Sequence, residues 1–462
     1  MQRITIKNVG PVKELDMVIN RFNFLIGEQA TGKSTVAKCI YYFRNVKAVI
    51  AGYLNQIAFY NSYQNKQLRE KERFEKDFNP VLKDIFTQIF GYSWDLDPEL
   101  DMTYYYTKEK RIRLSLNKNQ GERRYIEIHL SPALRAKILE ARNEAQEMYL
   151  NLKNAVTQAD LAEEERRNIS VSLQRKVTEI FADDEPTYYI PAGRTLLTEL
   201  AGGNAYSLND SIPGKKDLIT ERFLSLISNS ADTASTFRDG IQKARRSAAN
   251  RNIRFDQSAI SSQITSMMKG EYFRFKGEEY LRIQTEKGER DIAVNYLSSG
   301  QQSALWILNF LYLKMLANEK AFIIIEEPEA HIYPTFQKNI TELITEYANI
   351  TGGHVLVTTH SPYVLLTAGN FYYAGTLAKR GQKERIDKII GKNSIIVPGE
   401  LTALKLFATA QEDKKYYKDI VEAGEIRASM IDDVSASINE TYTALYDIEL
   451  DMEEMASDGE KE

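Results

Sequence analysis

The sequence predicts an α/β fold, a mixed sheet with flanking helices, split by a long and mainly helical insertion. Three observations lead there. Near the start an apolar run, Phe22-Asn23-Phe24-Leu25-Ile26, meets a glycine-bounded loop and then a helix-period stretch from Lys33 to about Phe43. From about Gly300, helix and strand patterns alternate, which implies a parallel sheet. Between these pieces, from about Ala51 to Asn295, polar helical pattern dominates.

Taken in order, Ile4–Val9 alternates apolar and polar residues, turns at Gly10-Pro11 and resumes over Leu15–Ile19, a hairpin signature. Helical pattern then runs to about Phe90, and strand-like patches follow at Met102–Tyr106, Ile112–Leu116 and Tyr125–Leu130. One long helix pattern covers about Pro132–Phe181 and stops at Asp183-Asp184-Glu185-Pro186, before a short buried strand at Tyr188–Pro191. A second helical stretch spans about Asp217–Lys269, and strands return from Glu271. A helix over about Gly300–Ala317, a buried strand Ala321–Ile325, a helix over about Thr335–Ala348 and a strand His354–Thr359 complete the pattern. The expected units are residues 1–50 (first half of the head, with a phosphate loop), 51–187 (insertion of antiparallel strands and a helical arm), 188–290 (a head strand and a second helical insertion), 291–385 (second half of the head) and 386–462 (a helical segment and an acidic tail from Asp447).

Composition narrows the class. With 43% hydrophobic and 27% charged residues the 462-residue chain is ordinary globular protein, and no run of about 18 apolar residues suggests a membrane span. The N-terminus enters strand pattern without a secretory h-region. The single cysteine, Cys39, excludes internal disulfides and fits a reducing, cytoplasmic setting. A net charge of −4 does not advertise a nucleic-acid binder. Arg238, Lys243, Arg245, Arg246, Arg251 and Arg254, with Asp239 and Asp256 the nearby acids, gather positive charge on one stretch. A solvated or protein-facing helix is the preferred reading there, a DNA-backbone contact the other.

Four motifs carry chemistry. Gly27-Glu28-Gln29-Ala30-Thr31-Gly32-Lys33-Ser34 satisfies the G-x-x-x-x-G-K-[ST] phosphate loop. Its glycines let backbone N–H groups wrap a β-phosphate at the positive end of a helix, Lys33 neutralises the β- and γ-phosphates, and the Ser34 hydroxyl ligates Mg2+. Thr35 is placed to reach an α-phosphate. Its position between a strand and a helix weighs against a chance glycine turn. Ile323-Ile324-Ile325-Glu326-Glu327 is an apolar strand ending in two carboxylates, read as Glu326 for the metal and Glu327 to orient or deprotonate water, or as a plain acidic turn before Pro328. Ser298-Ser299-Gly300-Gln301 opens a helix, as an anion site or a simple N-cap. His360 follows a strand, as a phosphate-bonding imidazole or a structural one.

In that order and spacing the motifs resemble the ABC-type ATPase superfamily, in its SMC-like branch with a split head. Glu326-Glu327-Pro328-Glu329-Ala330-His331-Ile332-Tyr333-Pro334 and Thr359-His360-Ser361-Pro362 are similar to the RecF, OLD and PtuA group, as is Tyr189-Ile190-Pro191-Ala192-Gly193-Arg194. The specific motifs fall in about Met1–Arg44 and Tyr188–Ala374. The resemblance implies heads that dimerise face to face, or assemble in higher even numbers. ATP is then sandwiched between the phosphate loop of one protomer and Ser298–Gly300 of the other, Pro328–Ala330 is a D-loop crossing the interface, and His360 is the switch histidine. It also implies a Q-loop glutamine between Phe43 and about Leu130, for which Gln56, Gln64, Gln67 and Gln88 all qualify. Two departures stand out: the usual Asp of the acidic strand is Glu326, and the signature has Ser299 where the family has glycine. Arg194 admits two readings, charge at a protomer interface or a cap on a strand.

The function implied is an ATP-binding and ATP-hydrolysing sensor or regulatory scaffold of bacterial anti-phage defence, of the Septu PtuA kind, with PARIS AriA second. OLD chains carry a Toprim nuclease after the head. Here about 100 residues follow His360, without an Asp-x-Asp in a strand–helix setting, and four histidines form no HNH cluster. A separate nuclease subunit is therefore the expected partner. A RecF-like or SMC-like repair clamp is the alternative. A transporter subunit fits poorly, and a scaffold that binds ATP without turnover is the reading that Glu326 leaves open.

Overall fold

The computed structural model describes residues 2–60, 70–91, 99–118, 124–155, 163–194, 217–233, 255–275, 278–411, 413–422, 424–426 and 443. The chain begins β1 (Gln2–Val9), β2 (Val12–Ile19), β3 (Phe22–Gly27), α1 (Lys33–Tyr60) and α2 (Glu70–Phe90). Next come β4 (Asp101–Tyr105), β5 (Arg111–Lys118), β6 (Arg124–Leu130), α3 (Pro132–Ala155), α4 (Glu163–Phe181) and β7 (Thr187–Ile190). After α5 (Leu218–Thr233) and α6 (Gln257–Met268), three strands follow: β8 (Glu271–Phe275), β9 (Glu278–Thr285) and β10 (Gly288–Ala293). The remainder is α7 (Ser299–Leu316), β11 (Phe322–Glu326), α8 (Pro334–Thr351), β12 (His354–Thr359), α9 (Pro362–Leu377), α10 (Lys383–Ile386), β13 (Leu401–Leu406) and β14 (Tyr417–Asp419), with two short strands after it.

The fold is mixed α/β. A central sheet has the order β14-β13-β3-β12-β11-β7, with every pairing parallel except that of β14. A second sheet, β2-β1-β4-β5-β6, is antiparallel throughout. Its last three strands come from the stretch 51–187, and Ile4 of β1 stands opposite Tyr104 of β4. A third sheet, β10-β9-β8, is a small meander.

Strand alternation divides the core in two. Phe322 and Ile324 join the cluster that includes α1 and the β1–β2 hairpin, whereas Ile323 and Ile325 face the cluster built on α7, α8 and α9. Both faces of the central sheet are thus buried, which explains the unbroken apolar run of β11.

Helix α1 runs well past the expected end near Phe43 and reaches about 42 Å at 1.5 Å per residue. The polarity at Arg44, Asn45 and Lys47 reads as a helix end, but all three are buried. The Arg44 guanidinium donates to Gln2 Oε1 at 2.6 Å and Asp183 Oδ1 at 3.1 Å, and lies 4.1 Å from the Phe322 ring centroid. Lys47 pairs with Asp183 at 2.8 Å, and Glu185 faces both Arg44 at 3.7 Å and His354 Nδ1 at 2.7 Å. These groups tie α1 to the turn before β7.

The segment 386–462, expected to be helical, instead supplies β13 and β14 to the central sheet. Leu-Thr-Ala-Leu-Lys-Leu has helix-favouring residues and leucines three apart, yet it is a buried strand beside β3. The pattern over Pro132–Phe181 forms two helices, α3 and α4. The basic stretch 238–254 and the acidic tail from Asp447 lie outside the described residues. No helix among the described residues is long and apolar enough to cross a membrane.

Burial alone lowers the affinity of Arg44 for its proton, but Tyr104, Asp183 and Glu185 outweigh it and the pKa is raised. Replacing it by methionine removes the cation shared by two buried carboxylates and leaves Asp183 to Lys47 and Glu185 to His354 and Lys320. Arg44→Met is expected to lose about 3–5 kcal/mol of stability in denaturant unfolding; a loss below about 1 kcal/mol would mean that these remaining partners satisfy the cluster.

Candidate functional site

Register builds the site. Glu326 of β11 stands opposite Thr358 of β12, and Thr359 opposite Ile26 of β3, so the carboxyl ends of three adjacent parallel strands lie side by side. That edge is where open α/β sheets present ligand sites.

The loop after β3 is tight. A Cβ on Gly27 would come within 2.6 Å of the Leu406 carbonyl oxygen. Gly32 has φ +96°, and a Cβ there would meet Val12 Cγ2 at 2.4 Å, so the β1–β2 turn is pressed against the loop. Ala30 also holds a left-handed φ of 62°. Thr31 Oγ1 donates to the Glu28 carbonyl at 2.9 Å. The Lys33 ammonium is buried and donates to the carbonyls of Gly27 at 2.8 Å and Glu28 at 2.7 Å. Ser34 and Thr35 follow on the first turn of α1, half-buried.

His360 links this loop to the acidic strand. Its Nδ1 lies 3.4 Å from Lys33 Nζ and its Nε2 lies 3.4 Å from Glu327 Oε1. An ammonium has only donors, so the nitrogen facing Lys33 accepts, and a neutral ring carries its proton on Nε2, toward Glu327. The His360 backbone N–H donates to Glu329 Oε1 at 2.6 Å, and Thr359 Oγ1 donates to the same oxygen at 2.8 Å.

The two strand-end carboxylates differ. Glu326 is buried, with Oε1 accepting from Tyr189 Oη at 2.7 Å and Oε2 from the Ala192 N–H at 3.2 Å. Burial and Glu326 itself push the Tyr189 phenol well up, so it stays a donor. Each Glu326 oxygen keeps a lone pair beyond its protein donor. Glu327 is half-buried at a left-handed φ of 42°, and its N–H donates to the Thr358 carbonyl at 2.8 Å.

The Ser298–Gln301 segment stands apart from this assembly. Ser298 N-caps α7 in a capping box with Gln301, and Gln301 Nε2 donates to the Met268 carbonyl at 2.9 Å. Ser298 and Ser299 are exposed, while Gly300 is buried where a Cβ would meet the His331 carbonyl at 2.5 Å. The structure therefore gathers Lys33, Glu327 and His360 in one place and leaves the two serines facing outward.

Of the glutamines considered, Gln56 sits 23 residues along α1 from Lys33, about 35 Å away at 1.5 Å per residue. Gln88 bonds Asp84 on α2 at 2.7 Å, and Gln64 and Gln67 fall outside the described residues. Sequence reading missed Tyr189 and Glu329 as partners of the site. The Glu-Pro-Glu run displays Glu329, but only the turn that folds it back on Thr359 gives it a task.

Residues 1–365 match the AAA ATPase domain family, and the chain belongs to that family. It is an ATPase. A protein named OLD nuclease from Thermus scotoductus is 27% identical over 106 residues, 23% of this chain and 20% of that relative, so the match spans a fifth of the relative's length. Among solved structures the chain is similar to an SMC head bound to the C-terminal winged-helix domain of ScpA, with 12% identity, 79% of this chain and 90% of that one covered, and a TM-score of 0.33. It is similar also to the SMC head domain from Thermotoga maritima (9%, 79% and 90% covered, 0.30) and to the recombination mediator RecF-ATPrS (10%, 88% and 95% covered, 0.26). The local match to the OLD nuclease accords with the resemblance to that group that the motifs imply.

Burial, opposed by Glu327 and Glu329, lowers the Lys33 pKa to about 8. A phosphate bound by Lys33 would favour the charged ammonium and raise that pKa in the complex. Above about pH 8 the free protein then holds fewer protons than the complex, and binding takes one up. Calorimetric titration with ATP should show proton uptake growing from pH 7 to 9, with affinity falling toward about tenfold per pH unit. Uptake that does not change with pH would exclude Lys33 as the titrating group.

Proposed function

We propose that the chain binds ATP in the loop Gly27–Thr35, hydrolyses it with Glu327 as the base, and dimerises around the nucleotide. The observation that carries the reading is the Lys33–His360–Glu327 alignment, which sets a cation, an imidazole and a carboxylate in line at the ends of three strands. Lys33 exchanges loop carbonyls for phosphate oxygens. His360 presents a ring N–H between Glu327 and the terminal phosphate, and Glu327 takes the proton of the attacking water. The donor set fits Mg2+, which keeps most of its ligands as phosphate oxygens and water: Ser34 offers a hydroxyl, and Glu326 its remaining lone pairs. The cation would neutralise charge on the phosphates. Ser298 and Ser299, exposed at the positive end of α7, suit the phosphates of a second copy.

The finer part of the proposal is a sensor or regulatory scaffold of anti-phage defence that governs a separate nuclease. What supports it is the local likeness to the OLD nuclease together with the Glu-Pro-Glu-Ala-His and Thr-His-Ser-Pro segments.

Lys33→Ala is expected to abolish nucleotide binding, while Glu327→Gln keeps it, loses turnover by about 10²-fold or more and accumulates dimer. Equal ATP affinity in wild type and Lys33→Ala would remove the phosphate-loop assignment. Affinity purification from the native operon tests the partner. A stoichiometric nuclease is the expected companion; the chain alone, with turnover raised by DNA, would favour a repair clamp.

A further inference from the structure

Arg194 has 0% exposure, and its guanidinium donates to four main-chain carbonyls. Nε donates to Ser303 at 2.9 Å, Nη1 to Pro191 at 3.1 Å and Glu326 at 2.7 Å, and Nη2 to Glu327 at 2.6 Å. Those acceptors belong to three elements: the turn after β7, the end of β11 and the first turns of α7. One rigid fork therefore joins the helix that carries Ser298 and Ser299 to the backbone of both strand-end glutamates.

The Glu327 backbone needs such a brace. A non-glycine residue at φ 42° costs on the order of 1 kcal/mol and persists only where its surroundings over-determine it. Here its N–H is held by Thr358 and its carbonyl by Arg194, so the left-handed turn is pinned at both ends and the carboxylate is delivered to His360.

We propose that Arg194 is a positioning residue for ATP hydrolysis: it sets the Glu327 backbone and couples it to the signature helix, so that engagement of Ser298 and Ser299 is transmitted through the Ser303 carbonyl to the carboxylate that activates water. The inference rests on the assignment of Glu327 as the base. Arg194 touches neither nucleotide nor water in this scheme. A lysine at this position has a point charge and cannot bridge the same set of carbonyls.

The test compares Arg194→Lys, Glu327→Gln and the double variant in the full chain, measuring ATP affinity, KM, kcat and thermal unfolding. Arg194→Lys is expected to fold and to bind ATP within about threefold of wild type, with KM little changed and kcat lower by about 10²-fold. In the double variant turnover is expected to match Glu327→Gln alone, because both changes disable one unit. Unchanged kcat in a folded Arg194→Lys, or losses that multiply in the double variant, would overturn the proposal. A lysine variant that does not fold would also overturn it, making Arg194 a residue that holds the fold. If Glu327→Gln alone leaves turnover intact, the base assignment fails, whatever Arg194 does.

Discussion

Parallel pairing among β3, β12 and β11 is the constraint from which the site follows. The phosphate loop leaves β3 at Gly27, His360 leaves β12 after Thr359, and Glu327 leaves β11 after Glu326, with each exit set by a one-to-one backbone register. A one-residue slip of β11 would turn Ile323 and Ile325 toward the wrong core and carry Glu327 out of reach of His360. Apolar packing on both sheet faces therefore enforces the register, and the register in turn aligns the polar groups. The chemistry is held by the core, not by the loops alone.

Charges buried at the two ends of this sheet are handled differently. At the end where β7 begins, Arg44 and Lys47 meet Asp183 and Glu185, so opposite charges compensate one another. At the end where β11 stops, Arg194 is satisfied by carbonyl oxygens, and burial lowers its pKa to about 10 despite three nearby glutamates. The first arrangement fastens α1 against the sheet. The second holds the backbone carbonyls of Glu326 and Glu327.

Much of this was legible in residue order. The hairpin, β3, the phosphate loop, β11, β12 and the helices around them follow from apolar periodicity and glycine placement, because those signals are local. The failures have one cause. Arg44–Lys47 reads as the end of a helix because its partners lie some 140 positions away, at Asp183 and Glu185. Leu401–Leu406 reads as helix because its burial beside β3 appears only once the chain returns across most of its length. Tyr189 and Glu329 were invisible as site partners for the same reason. Identity at each position was readable, whereas long-range pairing was not.

The substitution of glutamate for aspartate at 326 gains a physical reading from its neighbours. The extra methylene lets the carboxylate reach across to β7 and the turn after it, where it accepts hydrogen bonds from Tyr189 Oη and the Ala192 N–H. β7 pairs directly with β11, so the reach stays within one strand spacing. A shorter aspartate would fall back from the tyrosine and leave a buried hydroxyl without its acceptor, at a cost of about 1–3 kcal/mol. Glu326 and Tyr189 thus act as a matched pair. The carboxylate is anchored on its protein side by these two donors, so in the proposed reaction more would depend on the placement of Glu327. That placement is the task we propose for Arg194, whose guanidinium donates to the Glu327 carbonyl.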